Sequence, residues 1–144
     1  MRKRLFLLLL LPLVLAACNG GAPSGNSGGA VQGDEYIRIE LIALNHPPIR
    51  PAVEEVETLV AAYGDKVALQ TYDFDTPDGA AFAEEHALTE HTPLAIFING
   101  QMEFELEGRT IKFYGFPQGQ GTGMVADGTW TLDDLRAVLD QVTN

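Results

Sequence analysis

Thr89-Glu90-His91-Thr92-Pro93-Leu94-Ala95-Ile96-Phe97-Ile98-Asn99-Gly100 decides how the rest of the chain must be arranged. Five apolar residues in succession, Leu94 to Ile98, predict a central strand buried on both faces, because a strand with one wet face alternates polar and apolar residues. Asn99-Gly100 suits a two-residue hairpin turn, since both positions tolerate positive φ, and predicts an antiparallel strand starting at Met102. Thr92-Pro93 stands just ahead of the strand, where proline removes one ladder donor. That peptide bond is expected to be cis.

Upstream, Ile37, Ile39, Leu41 and Ala43 point one way and Ile42 and Leu44 the other, a first strand interrupted by Glu40, read as a buried carboxylate. After His46-Pro47-Pro48-Ile49-Arg50-Pro51, apolar residues at Val53, Val56, Val60 and Tyr63 mark one face of a helix that Gly64 ends. Pro48 and Pro51 each disfavour helix at the preceding residue, so the helix is expected to begin at Pro51. Val67, Leu69 and Thr71 alternate as a second strand, closed by Asp73 to Gly79, and a strand, helix, strand succession implies a right-handed parallel crossover. Ala80 to Leu88 reads as a short helix anchored by Phe82, with His86 on its surface.

Downstream, Met102, Phe104 and Leu106 alternate with Glu103, Glu105 and Glu107, a strand with a wet face whose carboxylates discourage pairing by another chain. Ile111 and Phe113 suggest a further strand. Residues 115–128 are Gly-rich and without periodicity; Gly119-Gln120-Gly121-Thr122-Gly123 is no phosphate loop, since no strand leads into a helix there and no lysine follows. Thr131 and Asp134 form a capping box ahead of a stripe of Leu132, Leu135, Leu139 and Val142, with Trp130 at the mouth of that helix. The order is β-α-β-α-β-β(-β)-α, an α/β fold with a central mixed sheet flanked by helices.

The chain opens Met1-Arg2-Lys3-Arg4, runs almost without polar residues from Leu5 to Leu15, and continues Ala16-Ala17-Cys18. A basic segment, a short apolar run and small residues make a secretory signal, and the run is short for a membrane span. Leu15-Ala16-Ala17-Cys18 resembles the bacterial lipoprotein signal, in which the cysteine is lipidated and becomes the first residue of the mature chain. This resemblance implies a signal peptide at 1–17 and a membrane anchor at Cys18, placing the protein in the cell envelope on the extracytoplasmic side. It also accounts for a lone cysteine in a secreted chain. Residues 18–34 are a Gly/Ser-rich tether, whose coil dimensions would float the domain at 35–144 about 20 Å from the lipid.

Without residues 1–17, six basic residues face twenty acidic ones, a net charge of −14. Such a balance repels phosphate backbones and anionic lipid heads, which argues against a nucleic-acid partner and against a polybasic membrane contact.

The succession of strand, turn, helix, strand, Asp-rich turn, short helix, Thr-Pro, buried strand, Asn-Gly hairpin and final helix resembles a thioredoxin domain across residues 36–144, with an enlarged region between Met102 and Gly128. The resemblance places His46-Pro47-Pro48-Ile49 on the family's active-site Cys-Gly-Pro-Cys, Glu40 on its buried carboxylate, and His91, Thr92 and Pro93 at its substrate-facing cis-proline loop. Both cysteines are missing, and disulfide exchange needs a thiolate. What the resemblance implies is therefore a redox-inactive domain, without cofactor, that binds an envelope protein or extended peptide at the cis-proline groove. Two alternatives stand beside it: metal binding through His46 and His91, a thin site without thiolate, and an accessory role in thiol exchange through a partner's cysteines.

Overall fold

The computed structural model describes residues 36–89, 92–120 and 128–144. The elements are β1 (Ile37–Ala43), α1 (Arg50–Ala61), a single 3-10 turn (Gly64–Lys66), β2 (Val67–Asp73), α2 (Pro77–Glu85), β3 (Leu94–Ile98), β4 (Glu103–Leu106), β5 (Arg109–Lys112) and α3 (Leu132–Val142). Three strands form a mixed sheet in the order β2-β1-β3, with β1 parallel to β2 and antiparallel to β3. The predicted order of elements holds throughout.

The apolar run Leu94–Ile98 is buried at all five positions, as a strand covered on both faces must be. The α1 face of the sheet collects Ile39, Leu41, Leu94, Ile96 and Ile98 against α1, α3, Phe113 and Trp130. The α2 face collects Ile42, Ala95 and Phe97 against Phe82 and Ala83. There Phe82 stacks on Tyr72 at 4.3 Å, and His86 lies 4.3 Å from both Phe82 and Phe97. His86 is thus half-buried in an aromatic cluster, where the sequence suggested plain surface.

Asn99 and Gly100 have φ of 51° and 78°, the left-handed pair a tight hairpin requires. Here Asn99 also locks the sheet: its side-chain oxygen accepts from Arg38 N–H at 2.9 Å and its own N–H donates to Arg38 O at 2.7 Å. The strand expected to pair with β3 from Met102 onward does otherwise. After one bridge at Gln101, β4 turns aside to pair with β5 in a separate two-stranded sheet, and Phe113 to Gly115 take the place beside β3. Glu103 bonds Lys112 at 2.8 Å and Glu105 accepts from Thr110 at 2.6 Å; Glu107 lies in the turn, at φ 52°. Two of the three glutamates thus meet partners across the hairpin on its exposed face.

Helix boundaries shift slightly. Ile49 is the N-cap of α1 in helical conformation, so the helix includes Arg50, and α2 starts at Pro77 because Thr76 caps it through Gly79 N–H at 3.1 Å. Tyr63 ties the end of α1 to α3, donating to Asp140 at 2.8 Å. Burial, with that hydrogen bond, pushes its hydroxyl up to about 12.

The capping box at α3 forms as the sequence predicts: Thr131 Oγ1 accepts from Asp134 N–H at 3.1 Å and Asp134 accepts from Thr131 N–H at 2.8 Å. Asp134 is buried and also pairs with Arg109. Burial alone would raise its pKa, but the hydrogen bonds from Arg109 and Thr131 outweigh it and hold the carboxyl below its ordinary range. A carboxylate depressed in the folded state adds stability that is fully present above its unfolded pKa and is lost as pH falls through the folded one. Asp134→Ala is therefore expected to cost about 1–2 kcal/mol near neutral pH. The deficit relative to wild type should shrink below about pH 4, which urea titrations at both pH values would show.

Candidate functional site

At the carboxyl ends of β1 and β2 the chain leaves the sheet toward opposite faces, to α1 and to α2. In α/β sheets this divergence opens a crevice. Asn45 and His46 emerge from β1, and the His46 carbonyl accepts from Ile49 N–H at 2.9 Å and Arg50 N–H at 3.2 Å, closing a turn with Pro47 and Pro48 exposed at its tip. Arg50 Nε donates to Asn45 Oδ1 at 3.1 Å. From β2, Asp73 folds the next turn: its backbone oxygen accepts from Thr76 N–H at 3.0 Å and its carboxylate from Asp75 N–H at 3.1 Å. Asp75 then stands 3.4 Å from His46 Nε2. Both side chains are exposed, so this contact orients the two loops more than it stabilises them.

Two clefts flank this junction. One, of about 300 Å³, lies between α1 and β2 and is lined by Ala43, Leu44, Val53, Arg50, Glu54, Glu57, Thr71, Tyr72 and Asp73. The other, more open and about 690 Å³, lies toward α2 beside His46, Phe74 and Asp75. Thr71 Oγ1 donates to Glu57 at 2.9 Å across the first cleft.

Of the residues the sequence singled out, His46, Pro47 and Pro48 are exposed at this end of the sheet, while Ile49 is buried in the main core as the first apolar anchor of α1. Glu40 is half-buried three residues before the end of β1, 3.4 Å from Arg38. Its side chain is largely covered and has the Arg38 guanidinium as its charged partner. The expectation of a cis bond at Thr92-Pro93 fails: no peptide bond among the described residues is cis. Trans is the lower state of an X-Pro bond by about 0.5–1 kcal/mol, and the surrounding contacts suit it. Thr92 N–H donates to Thr89 O at 2.9 Å, and its hydroxyl meets Tyr114 Oη at 3.0 Å. Thr92 is fully buried and Pro93 is buried, so neither side chain forms an open groove wall. The segment still adjoins the turn, since Leu44 N–H donates to Pro93 O at 3.4 Å. His91 and Cys18 lie outside the described residues.

Asn45, Arg50, Glu57 and Asp75 are site residues that the sequence did not single out. Their signal was topological, because each adjoins the carboxyl end of a parallel strand. Among the described residues no three His, Cys, Asp or Glu side chains converge as a metal centre would need. The chain matches no protein-family model and no curated protein.

Proposed function

We propose that this chain is a lipid-anchored protein on the extracytoplasmic side of a bacterial membrane. Its thioredoxin-like domain binds a partner protein or extended peptide and carries out no disulfide exchange itself. One observation carries both halves of the reading: the single cysteine of the chain is Cys18, within Leu15-Ala16-Ala17-Cys18. The lipid uses the only thiol, and the turn at the end of β1 has His46 and Ile49 where exchange would require two.

The strand order β2-β1-β3, with α1 and α3 on one face and α2 on the other, supports the thioredoxin-like reading of the domain. The carboxyl-end crevice, with Pro47 and Pro48 exposed beside two clefts, is the surface offered to a partner. With the Thr92 side chain buried, we place the contact surface at that crevice.

A photo-reactive amino acid at Pro47, activated in intact cells, tests partner binding. The expected result is a covalent adduct with an envelope protein that a control at Asp133 does not form. Adducts no more abundant than at Asp133 would overturn the reading. For the anchor, Cys18→Ser is expected to move the protein out of the membrane fraction, because one residue carries the whole lipid attachment. Retention of that variant in membranes washed with high salt would contradict it.

A further inference from the structure

β2 is the outer strand of the three-stranded sheet. Phe74 N–H donates to Ala43 O at 3.2 Å, so even-numbered residues turn their backbone groups toward β1 and odd-numbered ones turn theirs outward. Among the outward groups, Val67 N–H is taken by Gly64 O and Thr71 O accepts from the Gln70 side chain at 3.2 Å. The N–H groups of Leu69 and Thr71 and the Leu69 carbonyl have no partner among the described residues. From Val67 to Tyr72 the strand carries no charge and no proline, the features that ordinarily keep an edge from being paired.

A second observation adjoins the same strand. The cleft between α1 and β2 has apolar walls from Ala43, Leu44 and Val53 and carboxylates from Glu54, Glu57 and Asp73, against the one cation of Arg50. Odd-numbered β2 side chains face α1, as Thr71 does in reaching Glu57. A strand added outside β2 would send alternate side chains toward that face, and the one abreast of Thr71 and Asp73 would enter the cleft.

We propose that the β2 edge takes up an extended segment of another protein as an additional strand, with a Lys or Arg of that segment in the cleft. The main chain pairs with Leu69 and Thr71. The methylene stem lies on Ala43, Leu44 and Val53, and the cation sits among Glu54, Glu57 and Asp73. Charge selects this occupant over a second copy. Antiparallel pairing of two β2 edges would set the Glu54 and Glu57 faces of both copies on one side of the joined sheet, in a chain of net charge −11. The inference rests on the partner-binding reading and names its surface.

The test uses a short capped synthetic peptide of alternating Thr and Val with a central Lys, the same peptide with Glu in that place, and the full chain in detergent. In NMR titrations the Lys peptide is expected to shift the Leu69 and Thr71 amides and to bind at least about tenfold more tightly than the Glu peptide. Thr71→Pro, which removes an outward donor and spares the β1 ladder, should abolish binding, and Glu54→Lys with Glu57→Lys should reverse the preference. Circular dichroism verifies that each variant is folded. Equal binding of the two peptides, no shift at β2, or concentration-dependent dimers that protect the Leu69 and Thr71 amides would each overturn the proposal. Adducts at Pro47 that persist in Thr71→Pro would overturn this surface while leaving partner binding intact. Peptide binding without any cellular adduct would do the reverse.

Discussion

Trp130→Ala is expected to cost about 3–5 kcal/mol, a large share of the roughly 5–15 kcal/mol that holds a domain of this size together. The indole is fully buried, edge-on to Phe113 at 5.3 Å, and its N–H donates to Gly115 O at 3.2 Å. It joins the returning chain at Phe113 to Phe116 to the start of α3, so truncating it opens a cavity between them. Gly128 shows how tightly this corner is packed: a Cβ there would meet Tyr114 O at 2.4 Å and Phe116 O at 2.7 Å. Trp130→Phe keeps most of the ring and leaves the Gly115 carbonyl unpaired, a cost of about 1–3 kcal/mol. Because Trp130 is the single tryptophan, unfolding should be followed by circular dichroism in urea. An alanine variant within about 1 kcal/mol of wild type would contradict this packing.

Gly79→Ala is expected to destabilise by about 3 kcal/mol, against the usual sign for its position. Inside a helix, replacing Gly by Ala ordinarily gains about 1 kcal/mol. Here the added Cβ would lie 1.9 Å from the Asp73 carbonyl oxygen and 2.5 Å from its carbon. That carbonyl already accepts from the Thr76 N–H and, at 2.8 Å, from the Thr76 hydroxyl, so it cannot turn away without opening the β2 to α2 corner. α2 should shift off the sheet, loosening the stack of Tyr72 on Phe82 and weakening the near-ultraviolet tyrosine dichroism. Ala80→Gly, at an exposed position of the same helix, should lose only about 1 kcal/mol. Thermal melts of the two variants decide the matter: a Gly79→Ala domain as stable as wild type would mean that α2 does not approach β2 this closely.

The order of elements was legible in the sequence because each element carries its own period: five apolar residues for β3, Val56 and Val60 for α1, Leu135 and Leu139 for α3. The Asn99-Gly100 turn and the Thr131-Asp134 box were legible for the same reason, since the physics is local. What was not legible depended on contacts distant in sequence. The alternating glutamates do face solvent as read, but the partners of Glu103 and Glu105 come from β5 and could not be seen in β4 alone. Thr92-Pro93 was expected in a cis loop through a resemblance, and the hydrogen bond that the Thr92 hydroxyl makes is shared with Tyr114, twenty-two residues on. Trp130 does stand at the mouth of α3 as read, but its full burial depends on Phe113, which packs edge-on against it. For the crevice, His46 was visible as an oddity, but Asp75 and Arg50 gain meaning only once β1 and β2 are known to be parallel neighbours.

Intact-mass measurement of the protein extracted from membranes tests the proposed lipid anchor at Cys18 most directly. The expected species is a chain beginning at Cys18, heavier than its polypeptide by the mass of attached lipid and carrying no free thiol. A chain that retains residues 1–17, or one whose Cys18 is unmodified and reacts with a thiol reagent, would contradict it.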